Sequence, residues 1–162
     1  MVELDLRLPP PLTARPARPE DIAYFHDLSA RLWLETMDLG LEASALAGHQ
    51  ARIQHDQWAY SFPISDRLVL ETEGQPIGRL YVERVRPVWR AIDLTLEATH
   101  RRKGWGRAVL AALQSSALKE GADGVDLHVA LANTHARALY TSLGFRQAEP
   151  LGPYERMLWF SR

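Results

Sequence analysis

Arg101-Arg102-Lys103-Gly104-Trp105-Gly106 sets three cations against two glycines at the mouth of a predicted helix that runs to Glu120 and closes at Gly121. The first N–H groups of a helix have no partner within it. Glycine removes the Cβ that would hold a ligand away from them. The loop therefore offers converging donors, the positive end of a helix dipole and a ring of guanidinium and ammonium groups that includes Arg107. This is an anion cradle, and a pyrophosphate suits it best. Two other phosphate motifs fit less well. A P-loop needs lysine after its last glycine, followed by Ser or Thr, but here Lys103 precedes Gly104. The dinucleotide fingerprint needs a third glycine, and that position is Val109.

Moving outward, Val88–Glu97 alternates apolar Ile92, Leu94 and Leu96 with Asp93, Thr95 and Glu97, the pattern of a strand feeding the loop. Arg67–Glu73 and Ile77–Val85 read as a hairpin turning at Gly74-Gln75-Pro76. Leu12–Arg15 reads as a short strand. Arg18-Pro19-Glu20-Asp21 opens a helix, since proline and acids suit a first turn. A second helix covers about Glu42 to Tyr60, with Met37–Gly40 breaking the two. Downstream lie a strand at Val125–Ala130, a helix at Thr134–Leu143 and a last strand at Tyr154–Phe160. The order is β-α-α-β-β-β-α-β-α-β-β. It predicts an α+β fold with a mostly antiparallel sheet and helices on both faces.

The chain has 162 residues, 46% hydrophobic and 24% charged, with net charge −1. That is one domain, 1–162, with residues 1–11 as an extended proline-rich arm. The near-neutral balance gives no field to recruit nucleic acid or an acidic membrane. There is no cysteine, which excludes a disulfide scaffold, thiolate metal ligands and a Cys nucleophile. No apolar run reaches the roughly 18–20 residues of a membrane span, and the N-terminus lacks signal-peptide character. The expected location is cytoplasmic. His49 and His55, six apart, fall on different helix faces and make no zinc pair. No metal is expected. His128 in a strand and His135 in a helix next to Asn133 are both placed to approach a binding slot, but a packed or solvated histidine is the preferred reading. Trp33, Trp58, Tyr60, Phe62 and Trp89 read mainly as core.

About 30 residues past the loop stands Asn133-Thr-His-Ala136-Arg-Ala-Leu139-Tyr140-Thr-Ser-Leu-Gly144-Phe145. Here the chain resembles the GCN5-related N-acetyltransferases. Arg101, Gly104 and Gly106 match that family's acyl-CoA pyrophosphate loop, which is Gln or Arg, two residues, Gly, one residue, then Gly or Ala. Asn133, Ala136, Leu139, Tyr140, Gly144 and Phe145 match its second CoA-binding segment at every defined position. The two motifs occur in order and at the right spacing. The resemblance covers nearly the whole chain, though residues 19–60 fit only in order of elements.

The resemblance implies a six- to seven-stranded sheet and acetyl-CoA as co-substrate. The strand Ile92–Glu97 would splay from Val125–Ala130 to leave a slot for pantetheine. Backbone groups near Leu94 and Leu96 would pair with its amides. Arg101, Arg102, Lys103, Gly104, Trp105, Gly106 and Arg107 would hold the pyrophosphate, and Asn133 and Tyr140 would line the thioester end. Tyr140 would protonate the departing thiolate, and a backbone N–H near Leu96 would meet the oxyanion. The family often carries a glutamate where this chain has Arg90. Asp93 is the nearest carboxylate and the expected base or ammonium-binding group, with Glu83 and Glu97 as alternatives. The implied reaction is direct acetyl transfer to a primary amine of a small molecule, amino acid or peptide. A non-catalytic acyl-CoA-binding module is the alternative. A homodimer through the strand Tyr154–Phe160 is a further expectation.

Overall fold

The computed structural model describes residues 2–37, 44–85 and 87–162. Its elements are β1 (Leu12–Pro16), α1 (Asp21–Met37), α2 (Ser44–Ser61), β2 (Ser65–Thr72), β3 (Gln75–Glu83), β4 (Val88–Leu96), α3 (Trp105–Lys119), β5 (Gly124–Ala130), α4 (Thr134–Ser142), β6 (Arg146–Leu151) and β7 (Tyr154–Phe160), with a 3₁₀ turn at Ala98–His100. The seven strands form one sheet in the order β1-β2-β3-β4-β5-β7-β6. Every neighbouring pair is antiparallel except β4–β5, which is parallel. The expected α+β architecture is the one observed. The predicted break at Asp38–Gly40, and the predicted helix start at Glu42, lie outside the described residues.

Each face of the sheet has its own core. On one side Leu80, Val82, Trp89, Ala91, Val125, Leu127 and Met157 pack against Val109, Leu113 and Ala117 of α3, with Leu4 of the N-terminal arm in the same cluster. On the other, Phe25 of α1 and Val69 and Tyr81 of the sheet form a smaller cluster, with Trp58 of α2 against it. Period-2 alternation along each strand divides the residues between the two faces.

Two sequence expectations are corrected. The β2–β3 hairpin turns at Glu73 and Gly74, both at positive φ (52° and 75°), while Gln75 and Pro76 already belong to β3. A tight hairpin needs left-handed backbone at both central positions, and that moves the turn one residue earlier. The strand Tyr154–Phe160 has no free edge for a second copy, because β7 pairs with β5 on one side and β6 on the other. The edge strand is β6, which carries Pro150 and an irregular register. Proline on an outer strand removes a donor from the exposed edge.

Candidate active site

The parallel pairing of β4 with β5 runs from Val88/Gly124 to Ala91/Leu127 and stops there. β5 continues to pair with β7 as far as Ala130/Tyr154, while β4 continues to pair with β3 as far as Leu96/Gly78. The sheet therefore opens as a V between its two halves. The N–H of Glu97 donates to the carbonyl of Ile77 at the start of β3, 2.7 Å away. Alternation along the strand then turns the N–H and C=O groups of Leu94 and Leu96 the other way, toward the open side. β4 is thus unpaired on that side at Leu94 and at the Leu96 N–H.

The loop at the end of β4 leads directly into α3. Arg102 lies at φ 61° and Gly104 at φ 82°. Gly104 is the N-cap of α3 and supplies no side-chain cap, so the first-turn amides of the helix stay free for a ligand. A Cβ on Gly104 would meet nothing within 4 Å, so glycine is needed there for its left-handed backbone and not for room. Gly106 differs: a Cβ there would lie in ordinary contact, 3.9 Å from Leu139 and from Leu96. Arg102, Lys103 and Arg107 are exposed. Arg101 is less free than the sequence implied. Its Nε donates to the carbonyl of Leu96 at 3.1 Å, and its terminal nitrogen pairs with Glu35 at 2.8 Å. Arg107 reaches across to Ser142 of α4. The arginines thus tie the loop to the end of β4 and to two helices.

Asn133 is the N-cap of α4, its Oδ1 accepting from the N–H of Ala136 at 3.2 Å. Tyr140, in the last turn of α4, packs its ring 6.0 Å from that of Phe145. Burial, with a smaller contribution from the charge of Asp93, raises its phenol above the usual 10. Tyr140 sits on the α3 side and Asp93 on the α1–α2 side. The two sense each other where the sheet stands open.

A bulge sets the direction of Asp93. The β3–β4 register pairs Val82 with Ala91 and Tyr81 with Asp93, leaving Ile92 as the extra residue. An extra residue restores the alternation. Arg90, three positions before Asp93, therefore shares its face instead of opposing it. The Asp93 carboxylate accepts from Arg79 Nε at 2.7 Å and from the Thr95 hydroxyl at 3.1 and 3.0 Å. Arg79 is fully buried. It also donates to the Phe25 carbonyl (2.8 Å) and the Ser29 hydroxyl (2.5 Å), and lies 5.2 Å from the Trp58 ring and 5.5 Å from that of Tyr81. Sequence reasoning missed Arg79, since only the cross-strand register brings it to Asp93. Trp58 helps to hold it, and Trp33 lines a cavity of about 220 Å³ between α1 and α2 with Ser29 and Gln54.

Of the other candidate carboxylates, Glu97 is engaged elsewhere. Glu97 accepts from the Tyr24 hydroxyl at 3.0 Å and from Arg31 at 2.6 Å. Glu83 stands opposite Arg90 in the register. Arg90 itself makes a two-pronged pair with Asp126 of β5, at 3.0 and 2.8 Å. Asp126 also accepts from Arg156 at 2.7 Å. It is buried, which by itself raises its carboxyl, but the two guanidiniums outweigh this and hold it below the usual range.

No curated protein sequence matches the chain. Solved structures do. A PaiA N-acetyltransferase from Thermoplasma acidophilum in complex with coenzyme A superposes with TM-score 0.72 at 16% identity, covering 92% of this chain and 98% of that one. YncA from Salmonella typhimurium, a putative acetyltransferase with its cofactor acetyl-CoA, gives 0.64 at 18% identity, covering 93% and 94%. A dodecameric spermidine N-acetyltransferase from Vibrio cholerae gives 0.66 at 20% identity, again covering 93% and 94%. At these identities the likeness is one of fold. The family model for the acetyltransferase (GNAT) family matches residues 25–145, a span that holds the parted strands, the uncapped helix and Tyr140, and the chain belongs to that family.

Proposed function

We propose that the protein is an acetyl-CoA-dependent N-acetyltransferase acting on a primary amine of a small molecule, amino acid or peptide. The observation that carries the reading is the parting of β4 from β5 directly upstream of an uncapped helix. An extended pantetheine chain suits the unpaired edge at Leu94 and the Leu96 N–H, as an added strand would, the Leu96 carbonyl already accepting from Arg101. The pyrophosphate suits the first-turn amides of α3, with Arg102, Lys103 and Arg107 around it and Arg101 bracing the loop. Trp105 and Gly106 belong to the same turn. The structural relatives with coenzyme A or acetyl-CoA, and the one that acetylates spermidine, support donor and acceptor class in general terms.

In this reading the amine approaches from the α1–α2 face and meets Asp93, a negative charge fixed by Arg79 and Thr95. With its oxygens already accepting hydrogen bonds, Asp93 suits binding an ammonium more than taking its proton. Attack on the thioester forms the C–N bond and a tetrahedral oxyanion, which a preorganised backbone N–H near Leu96 would stabilise. Tyr140 stays protonated at neutral pH and donates to the sulfur as the C–S bond breaks. Without cysteine, transfer runs directly in a ternary complex, where proximity lowers the barrier. Asn133 shapes the thioester end by capping α4.

Calorimetry with acetyl-CoA, followed by a pool of primary amines with thiol release recorded, tests the reading. Binding with release supports a transferase, and absence of binding removes the proposal's basis. Binding without release supports a non-catalytic acyl-CoA-binding module. The Arg90–Asp126 pair favours that second reading, because a guanidinium occupies the position where the family often has a glutamate.

A further inference from the structure

Carboxylates already held by hydrogen bonds are poor destinations for the proton of the acceptor ammonium, which leaves Glu83, opposite Arg90 on β3, among the predicted ones. Asp93, Glu97 and Asp126 all accept from cations or hydroxyls. His128 is different. It is the first residue of β5 beyond Leu127, where pairing with β4 ends. Its other edge is held, since His128 pairs with Arg156 of β7. Alternation puts its side chain on the same face as Asp126, two residues earlier. Asp126 meets Arg90 on that face, and the bulge at Ile92 brings Asp93 to it as well. His128 and Asp93 therefore stand on opposite lips of the V, on one face, each just beyond the last paired rung at Ala91 and Leu127. The histidine is exposed.

We infer that His128 is the general base that takes the proton of the acceptor ammonium held by Asp93, an assignment that rests on the transferase reading above. The charged groups around it are Arg90 of β4, Asp126 of β5, Arg156 of β7 and Glu149 of β6. Desolvation against the sheet lowers its imidazole below the usual 6.5, and the two arginines add to this against the two carboxylates. The ring is thus neutral near pH 7 and free to accept. The ammonium gives one proton to His128, and the neutral amine attacks the thioester carbonyl. The second proton leaves nitrogen as the C–S bond breaks. Tyr140 passes its own proton to the sulfur and takes that one in exchange. His128 returns its proton to solvent.

The test compares wild type with His128→Gln, using two kinds of acceptor: the pooled primary alkylamines, and hydroxylamine, which is already neutral near pH 7 and needs no base. With alkylamines, kcat/KM at neutral pH should fall by about 100-fold. The deficit should shrink as rising pH deprotonates the amine in solution. Transfer to hydroxylamine, acetyl-CoA affinity and melting temperature should change little. Undiminished alkylamine rates with the same acidic limb would overturn the assignment. So would an equal loss with hydroxylamine, which would mark His128 as structural or positioning only. If wild type binds acetyl-CoA but releases thiol with neither acceptor, the transferase reading itself fails, and the assignment with it.

Discussion

Tyr140 illustrates how a residue's surroundings decide between two roles that sequence alone leaves open. Its ring packs beside Phe145 like any core tyrosine, yet its phenol senses Asp93 through the gap in the sheet. Burial and that negative charge both oppose ionisation, so the group is protonated near neutral pH and suited to give its proton to the departing sulfur. Tyr140→Phe keeps the ring and removes the donor. Turnover should fall about 10- to 100-fold, at or below the usual range for losing an acid–base group, with melting temperature and acetyl-CoA affinity nearly unchanged. Single-turnover kinetics on wild type and variant would check this. Equal rates would mean that the thiolate leaves without help from Tyr140.

At the scale of elements, two helix starts serve opposite ends. α1 is locked at its start. The Asp21 carboxylate accepts from Arg15 at 2.8 and 2.9 Å and from the N–H of Arg18 at 2.7 Å, and Arg15 also pairs with Glu71 of β2. Hydrogen bonding to Arg15, chiefly, pulls the Asp21 carboxyl from 3.8 to about 2. A carboxyl depressed on folding stabilises above its unfolded pKa, and that contribution is lost as pH falls through the folded value. The melting temperature of Asp21→Asn should therefore lie furthest below wild type above about pH 4 and converge with it toward pH 2. A constant gap would mean that the charge of Asp21 is not what holds α1. The start of α3 is open instead. Gly104→Ala forces a left-handed backbone on alanine and should cost about 1–2 kcal/mol of stability. Gly106→Ala has no such strain, and a methyl there makes only ordinary contacts with the protein. Its stability should stay within about 0.5 kcal/mol of wild type, while acetyl-CoA affinity falls if the pyrophosphate lies against the glycine. Thermal melts and calorimetry on both variants separate backbone strain from ligand room.

For the whole molecule, what was legible in the sequence follows what each pattern encodes. The cation–glycine loop and the order of strands are local signals, and the order led to the right sheet. The partners of the polar side chains are not local. Arg79 reaches Asp93 only through the β3–β4 register, and Arg90 reaches Asp126 only through the short parallel ladder. The bulge at Ile92 breaks the period-2 rule, so Asp93 and Arg90 look opposed in sequence and share a face in the structure. His128 read as an ordinary strand histidine because its distinction is that β4 has left its side.

That departure makes one prediction about the molecule as a unit. Thr95 and Glu97 direct their amides to β3, whereas Leu94 and Leu96 direct theirs to the slot. In the free protein, hydrogen exchange should be slow at Thr95 and Glu97 and fast at Leu94 and Leu96, although all four belong to one strand and its immediate end. Saturating acetyl-CoA should slow the two leucine amides selectively, beyond the general stabilisation of about 2.7 kcal/mol expected at a hundredfold excess over Kd. Global stabilisation would slow every amide that exchanges by full unfolding. Only a chain bound along the free edge of β4 would close the leucines while leaving the exchange order of their neighbours unchanged. Equal slowing along the strand would place pantetheine elsewhere and leave the V between β4 and β5 without its proposed occupant.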